Sequence, residues 1–471
     1  MDLYEPCGGH ALFIIHRRKI DYTLIGLWLV DFHSFSAALI INAGVGPYPI
    51  TLALKGYIYM KYVVYVFLAL SLFVPLTLSA QTGVLSVSTY GAVCNGSTDD
   101  TAKFQAAANA AASSYTTTGS PVTITYAGNC IIGGSISYGS GVHWRGYGLI
   151  TVPSGQASPT FYAINADNVE WDHVEIDFTN SYGSSNPYAS GIGWFSSSSD
   201  SAAHHHVKIT NCNISNSAWG ISIFYNSRSG SLADVDIANN TVSSPTAYSN
   251  WDGIHIGGRV SGITVTDNHI LNRGDAAISL SSENSTYLLS GAVISHNMAL
   301  NDEVGLDMSG PSNVTLQGNY VQATVATNNT SNPAFRALVY GGGIPTNLNV
   351  IGNYFDNVPG PSGTANVDIN SAVSNPPPSY MTFTGNTFGG TLGDLYIRAN
   401  NVTVSGNTFL SPGYLNVDYY SPTNTPTSNV LIGVNNWLGT GTIQMGANTS
   451  LYSNIQLATQ MSVGTITQVR P

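Results

Sequence analysis

The feature that most restricts the fold of this chain is a short phrase that keeps returning: an apolar residue, two others, Asn, one more residue, then an apolar residue. It reads DIANNTV at 236–242, TVTDNHI at 264–270, VISHNMA at 293–299, TLQGNYV at 315–321, NVIGNYF at 349–355, TFTGNTF at 382–388 and TVSGNTF at 403–409. With Asn240, Asn268, Asn297, Asn319, Asn353, Asn386 and Asn407 as markers, successive steps are 28, 29, 22, 34, 33 and 21 residues. KITNCNI at 208–214 and VLIGVNN at 430–436 extend the series less cleanly, with Cys212 in the marker position of the first and Asn435 one place beyond it in the second. A minimum near 21 with insertions above it fits a solenoid coil of three short strands and their turns.

Segments such as V-T-V and I-T-V have the alternation of a strand with one face on a core, and the recurrent G-N pairs mark tight bends. An amide at one place in every coil can donate to the next coil and also satisfy the backbone at a bend, so the asparagines read as an internal ladder and as scaffold. A propeller would need a period of roughly 40 or more, and a leucine-rich solenoid would need leucine at regular places. Calcium-binding nonapeptide coils would need G-G-x-G-x-D, which is absent. The fold class is therefore all-β, a parallel β-helix.

An open first coil exposes unpaired edges, so its N-terminal end should be covered. STDDTAKFQAAANAAASS, 97–114, supplies a helix for this purpose, with Ser97 or Thr98 as its cap and Asp99 and Asp100 at its positive end. Its face Phe104, Ala107, Ala108 and Ala111 would pack on the first coil. Upstream, Met60–Ala80 has a start-like methionine, a lysine, an apolar run and small residues at its end, the order of a secretory signal peptide. The expected organisation is a non-native upstream extension at 1–59 with translation starting at Met60, a signal peptide at 60–80, a cap at 81–120, the β-helix at 121–436 and a last coil or cap at 437–471. The rival for Tyr62–Leu78 is a membrane anchor, the lesser alternative to a secreted or extracytoplasmic protein. From residue 81 onward nine basic residues face 21 acidic ones, a balance that repels nucleic acid. Cys94 and Cys130 could staple the N-terminal end, although spacing alone does not assign the pair.

STYGAVCNGSTDDTAKFQAAANAA, 88–111, resembles the opening of the pectate-lyase-superfamily domain of rhamnogalacturonases, polygalacturonases, glucanases and uronan epimerases, through its Y-G-A, G-x-T-D-D-T and Q-x-A elements. The resemblance implies a right-handed, pectin-lyase-like parallel β-helix over roughly 83–436 and a polysaccharide as partner. It implies no one reaction, since one fold hosts several chemistries.

Four strands can be put in register: W-G-I-S-I at 219–223, D-G-I-H-I at 252–256, A-A-I-S-L at 276–280 and V-G-L-D-M at 304–308. If Ile221, Ile254, Ile278 and Leu306 point inward, Ser222, His255, Ser279 and Asp307 point outward. Trp219, Asp252, Ala276 and Val304 then stack at the strand starts, preceded by Trp251, Asp275 and Glu303. Asp252, Asp275, Glu303, Asp307 and His255 would share one shallow cleft and are the candidate catalytic residues. Glycosidic cleavage needs one protonated carboxyl for the leaving oxygen and one carboxylate to activate water or attack the sugar, roughly 5 to 9.5 Å apart. Like charges this close raise one pKa, which helps to make the acid.

NWDGIHI and NRGDAAISL also resemble the N-T-D and G-D-D segments of polygalacturonase-type glycosidases, with Asp252 and Asp275 on the matching aspartates. Ala276 replaces the second aspartate of the pair, Glu303-Val304-Gly305 replaces G-H-G, and R-I-K is absent, with only Arg336 near its place. Trp219, Trp251, Arg259, Arg273 and Arg336 are the candidate substrate-binding residues, and Arg273 could pair with Asp275 as a surface bridge. Three readings compete. The first is a divergent glycoside hydrolase with paired outer-face carboxylates and no cofactor. The second is a uronan lyase or C5-epimerase, in which His255 or a tyrosine removes the C5 proton, Arg259 or Arg273 steadies the uronate and Ca2+ could sit on Asp252, Asp275 and Asp307. The third is a carbohydrate-binding or structural β-helix in which Asp275 is a turn residue. His204, His205 and His206 read as a strand whose side chains face opposite ways, not as a metal site.

Overall fold

The structure, a computed structural model, describes residues 83–445 apart from 156–157, 180–189, 246–250, 283–287, 324–332, 358–365, 371–376, 390–394, 411–412, 418–428 and 440, together with short strands outside that span. Two units are distinguished, Met1–Gln81 and Thr82–Pro471. In the first, five strands between Leu3 and Lys55 pair antiparallel in sequence order. The stretch 60–80 expected to be a signal peptide or anchor lies outside the described residues. Among the described residues, no helix is long and apolar enough to cross a membrane.

The second unit is a right-handed parallel β-helix in which each coil passes through three ladders. The first ladder carries strands such as Ser231–Ala238, Val260–Thr266 and Ser290–Ser295, and the second carries Thr241–Ser243, His269–Leu271 and Met298–Asp302. The third, of 13 strands among the described residues, includes Trp219–Tyr225, Ile254–Gly258, Ala276–Ser281, Val304–Ser309 and Phe335–Leu338. Further strands from Asn436–Trp437 to Ile466–Val469 continue all three ladders.

The asparagines occupy the bend between the first and second ladders. Asn240, Asn268, Asn297, Asn319, Asn353, Asn386 and Asn407 are all within 2 % of full burial. Asn297 stands for the set: its Nδ2 donates to Val265 O at 2.9 Å and to Asn319 Oδ1 at 3.0 Å, while its Oδ1 accepts from the backbone N–H and the Nδ2 of Asn268, both at 3.0 Å. The residue before each marker takes a left-handed conformation, from Asn211 and Asn239 through Asp267 and His296 to Gly318, Gly352, Gly385 and Gly406. Asn, Asp and Gly tolerate that conformation best, which explains the N-N, D-N and G-N pairs of the phrase. Asn435 belongs to the ladder too, accepting from Asn407 N and Nδ2 at 3.0 Å, because Ile432 leads it by the same three residues as Ile237 leads Asn240. At the other end Cys212 N donates to Asn240 Oδ1, and the buried thiol, pushed up to about 12 by burial, stands where an amide would.

The core is one continuous stack of buried side chains, each Val, Ile or Leu contributing about 1.5–3 kcal/mol through burial. Aromatic rings fill its N-terminal end, where Phe104 of the cap helix stacks on Trp144 with centroids 5.6 Å apart. That helix runs Thr101–Thr118, with Phe104, Ala107, Ala108 and Ala111 buried as the sequence pattern predicts. Its cap differs from expectation. Ser97 and Thr98 lie in the strand Asn95–Asp99, and Asp100 takes the N-cap position. The Asp100 carboxylate accepts from Val93 N and Cys94 N instead of capping the helix, so it ties the preceding loop to the helix start. Cys94 and Cys130 form a disulfide beside it.

Candidate active site

Strand pairing on the third ladder aligns Ile221, Ile254, Ile278, Leu306 and Phe335, all fully buried, and beside them Ser222, His255, Ser279, Asp307 and Arg336 on the outer side. The expected register is the observed one. The outer row is less open than expected, however. Ser222 is completely covered and His255 is 8 % exposed, because the His255 ring is sandwiched between Trp219 and Phe224, with centroids 4.8 and 4.6 Å away.

A cleft of about 510 Å3 opens over these coils. Its side toward the N-terminal coils is aromatic: Phe195 stacks on Phe224 at 6.0 Å, Trp219 stacks on Phe224 at 5.2 Å, and Trp251 meets Trp219 edge-on at 6.2 Å. Trp219 is 7 % exposed and covers the core, whereas Trp251 keeps 40 % of its surface open. The opposite side is polar, carrying Asp275, Asp307, Ser279, Ser309 and Arg336.

Asp252 enters the cleft from the bend before the strand Ile254–Gly258. Its Oδ1 accepts from Ala276 N at 2.9 Å, stitching one coil to the next, and its Oδ2 lies 2.5 Å from His255 Nδ1. Gly253 permits this approach, since a Cβ there would stand 2.6 Å from the Ala277 carbonyl oxygen and from Ile270 Cγ2. Asp307 accepts from Ser309 Oγ at 2.8 Å and from Arg336 Nη2 at 2.6 Å. Asp275 is different. Its side chain is 42 % exposed, and its Oδ1 lies 3.6 Å from the same Arg336 Nη2. Burial of its surroundings and the negative charge of Asp252, with smaller contributions from Asp307 and Glu303, push its carboxyl up to about 7 against the pull of Arg336. Arg336 itself, although burial works against its charge, is held more firmly protonated by Asp307, Asp275 and Asp252.

Two expected substrate ligands are elsewhere. Arg273 is fully buried and makes no surface bridge to Asp275. Its guanidinium donates to the carbonyls of Trp251, Ser217, Ala218 and Asp252 and to Ser244 Oγ. Only a long planar donor group can gather that many carbonyls, so Arg273 anchors the bend that carries Trp251 and Asp252 from beneath. Burial lowers its pKa to about 10, and the buried Asp302 accepts its backbone N–H at 2.7 Å. Arg259 lies past the far end of its strand, exposed, with Nη1 donating to Arg228 O, and does not line the cleft. Glu303 is 5 % exposed and lies outside the lining as well, its N–H donating to Arg273 O. Sequence reasoning missed the Phe195–Phe224 wall, whose signal was an aromatic residue in the same register of W-F and I-F-Y.

The histidine run does not converge. His204 is buried between Asp200 and Asp167, His205 is exposed, and His206, in a left-handed conformation, turns to Asp234. Among the described residues, the one set of three closely grouped ligand atoms is Cys94, Asp100 and Cys130, and its sulfurs are in the disulfide. Asp252, Asp275 and Asp307 do not fit Ca2+, because a guanidinium already occupies the space between two of them.

A family model described as "right handed beta helix region" matches residues 190–388. No curated protein sequence matches the chain. Among solved structures, the chain is similar to the A-module of a mannuronan C-5 epimerase from Azotobacter vinelandii, at 14 % identity and a TM-score of 0.47, covering 82 % of this chain and 100 % of that one. It is similar also to the catalytic unit of an α-1,3-glucanase from Streptomyces thermodiastaticus, at 17 % identity and 0.46, covering 83 % and 70 %. A surface adhesin of Streptococcus pneumoniae, PfbA, is similar at 14 % identity and 0.45, covering 81 % and 93 %. At these identities the likenesses bear on the fold alone.

Proposed function

We propose that this protein hydrolyses glycosidic bonds in a polysaccharide, with Asp275 as the general acid and Asp252 as the carboxylate that activates water or attacks the sugar. The observation that carries this reading is the asymmetry of the acidic groups sharing one cleft. Asp252 and Asp307 each accept hydrogen bonds on both oxygens, whereas Asp275 lines the cleft with a single longer contact to Arg336, and burial together with the charge of its acidic neighbours pushes it toward holding a proton near neutral pH. A carboxyl held protonated beside a second, hydrogen-bonded carboxylate is what acid-assisted cleavage of an acetal needs. Arg273 positions the bend beneath Asp252, and Trp251 offers an apolar face to a sugar ring.

The uronan lyase or epimerase reading is less well supported. It requires a cation for the uronate, and Arg336 is paired with Asp307, while Arg259 lies outside the lining and Arg273 is buried beneath it with its donors on backbone carbonyls. The test is product release from neutral and uronic polysaccharides by the parent chain, Asp252→Asn and Asp275→Asn. New reducing ends without the ultraviolet absorbance of an unsaturated product, lost by at least a hundredfold in both folded variants, support hydrolysis here. Unaltered cleavage by either variant removes its residue from the mechanism, and absence of cleavage by the parent leaves the cleft as a binding site.

A further inference from the structure

The cleft also speaks to which polysaccharides it can hold. Three carboxyl groups, Asp252, Asp275 and Asp307, line it, and Arg336 is the one Lys or Arg among the described lining residues. That guanidinium is already bound by Asp307 at 2.6 Å and approached by Asp275 at 3.6 Å. Arg273, two residues before Asp275, is wholly buried with its donors on backbone carbonyls and Ser244, and Arg259 is outside the lining. A uronate carboxylate placed here would therefore meet the carboxylates of Asp252 and Asp307 and a guanidinium whose charge Asp307 already balances. The chain as a whole adds to this, with a formal charge of −11 that repels an anionic polymer before it docks.

The rest of the lining suits an uncharged ring. Phe195, Phe224 and Trp251 present carbon surface along one side, which matches the C–H face of a pyranose. Ser279, Ser281 and Ser309 on the other side offer hydroxyls that donate to or accept from sugar hydroxyls. A cleft divided into an aromatic wall and a hydroxyl and carboxylate wall can grip a neutral sugar by both of its surfaces without a fixed cation.

We infer that the polysaccharide bound in this cleft is neutral, built of sugars without carboxylates, and that polyuronates are excluded by charge. This rests on the cleft being the glycan site proposed above, and it does not require turnover there.

The experiment compares binding of the full chain, by calorimetry at low ionic strength, to polygalacturonate, alginate and their carboxyl-reduced derivatives, alongside uncharged glucans, galactans, xylans and mannans. At least one neutral polymer is expected to bind tenfold or more tightly than any polyuronate, and Asp307→Asn, which releases Arg336, is expected to narrow that gap. The comparison on the parent chain is decisive by itself if the variant does not fold. A polyuronate bound as tightly as the best neutral polymer overturns the inference, and so does failure to bind any of them. Binding of a neutral glycan without its cleavage refutes the hydrolase reading and leaves this inference standing.

Discussion

Replacing Arg336 with Gln should make Asp275 hold its proton to a higher pH. The guanidinium lies 3.6 Å from Asp275 Oδ1 and is the group that pulls its pKa down, against burial and the charges of Asp252, Asp307 and Glu303. Unit charges at that separation interact by about 1 kcal/mol in bulk water and by about 4–5 kcal/mol at an effective dielectric near 20. Because the Asp275 side chain keeps 42 % of its surface exposed, solvent screening selects the lower part of that range, about 1–2 kcal/mol. One pH unit corresponds to about 1.4 kcal/mol, so the midpoint should rise by about one unit. Asp307, left without its partner, pushes the same way. The shift is read from the titration of the Asp275 side-chain carboxyl carbon by NMR, which needs no turnover. Where turnover is measured, the alkaline limb of kcat/KM, set by loss of the acid's proton, should move up with it. A midpoint that stays or falls would mean that Arg336 does not govern Asp275, and the acid assignment would lose its electrostatic basis.

The scaffold yields two further expectations. Asn297→Ala strands the backbone N–H of Asn268 and the carbonyl of Val265 in the core. At about 1–2 kcal/mol per orphaned group, it should cost about 2–4 kcal/mol in urea unfolding, whereas the exposed helix residue Asn109 replaced by Ala should change little; equal effects would mean the ladder is not a source of stability. Removing the Cys94–Cys130 disulfide, which closes a separation of 36 residues, should destabilise by about 3–4 kcal/mol on the chain-entropy estimate, and a double Cys→Ala variant unfolding at the parent's denaturant midpoint would contradict it.

What could be read in the sequence follows from what repeats. The asparagine ladder and the inward Ile221, Ile254, Ile278 and Leu306 recur in every coil, so periodicity exposes them together with the outward row that carries His255 and Asp307. Asp252 and Asp275 were legible because they sit at fixed offsets from that register. Arg273 was not. Its position in sequence beside Asp275 suggests a surface bridge, and only the geometry of the bend reveals four carbonyls converging beneath it. The cap failed for a similar reason: Asp100 is drawn away by two amides of the preceding loop, a contact that local capping preference does not contain.

Of the three corners of the coil, the one holding the asparagines keeps nearly the same length, with two residues between Ala238 and Thr241 and again between Thr266 and His269, and three between Ile432 and Asn436. The other two vary widely: from the second ladder to the third, ten residues separate Ser243 from Ile254 and one separates Asp302 from Val304, and from the third to the first, one residue separates Gly258 from Val260 and eight separate Ser281 from Ser290. One edge of the molecule therefore acts as a spine that fixes register, and the variation in coil length is absorbed at the other two. The third ladder is the one surface bordered by both variable edges. Loops can be lengthened or exchanged on either side of it without disturbing a single rung, so the cleft sits where the architecture tolerates revision of what is bound.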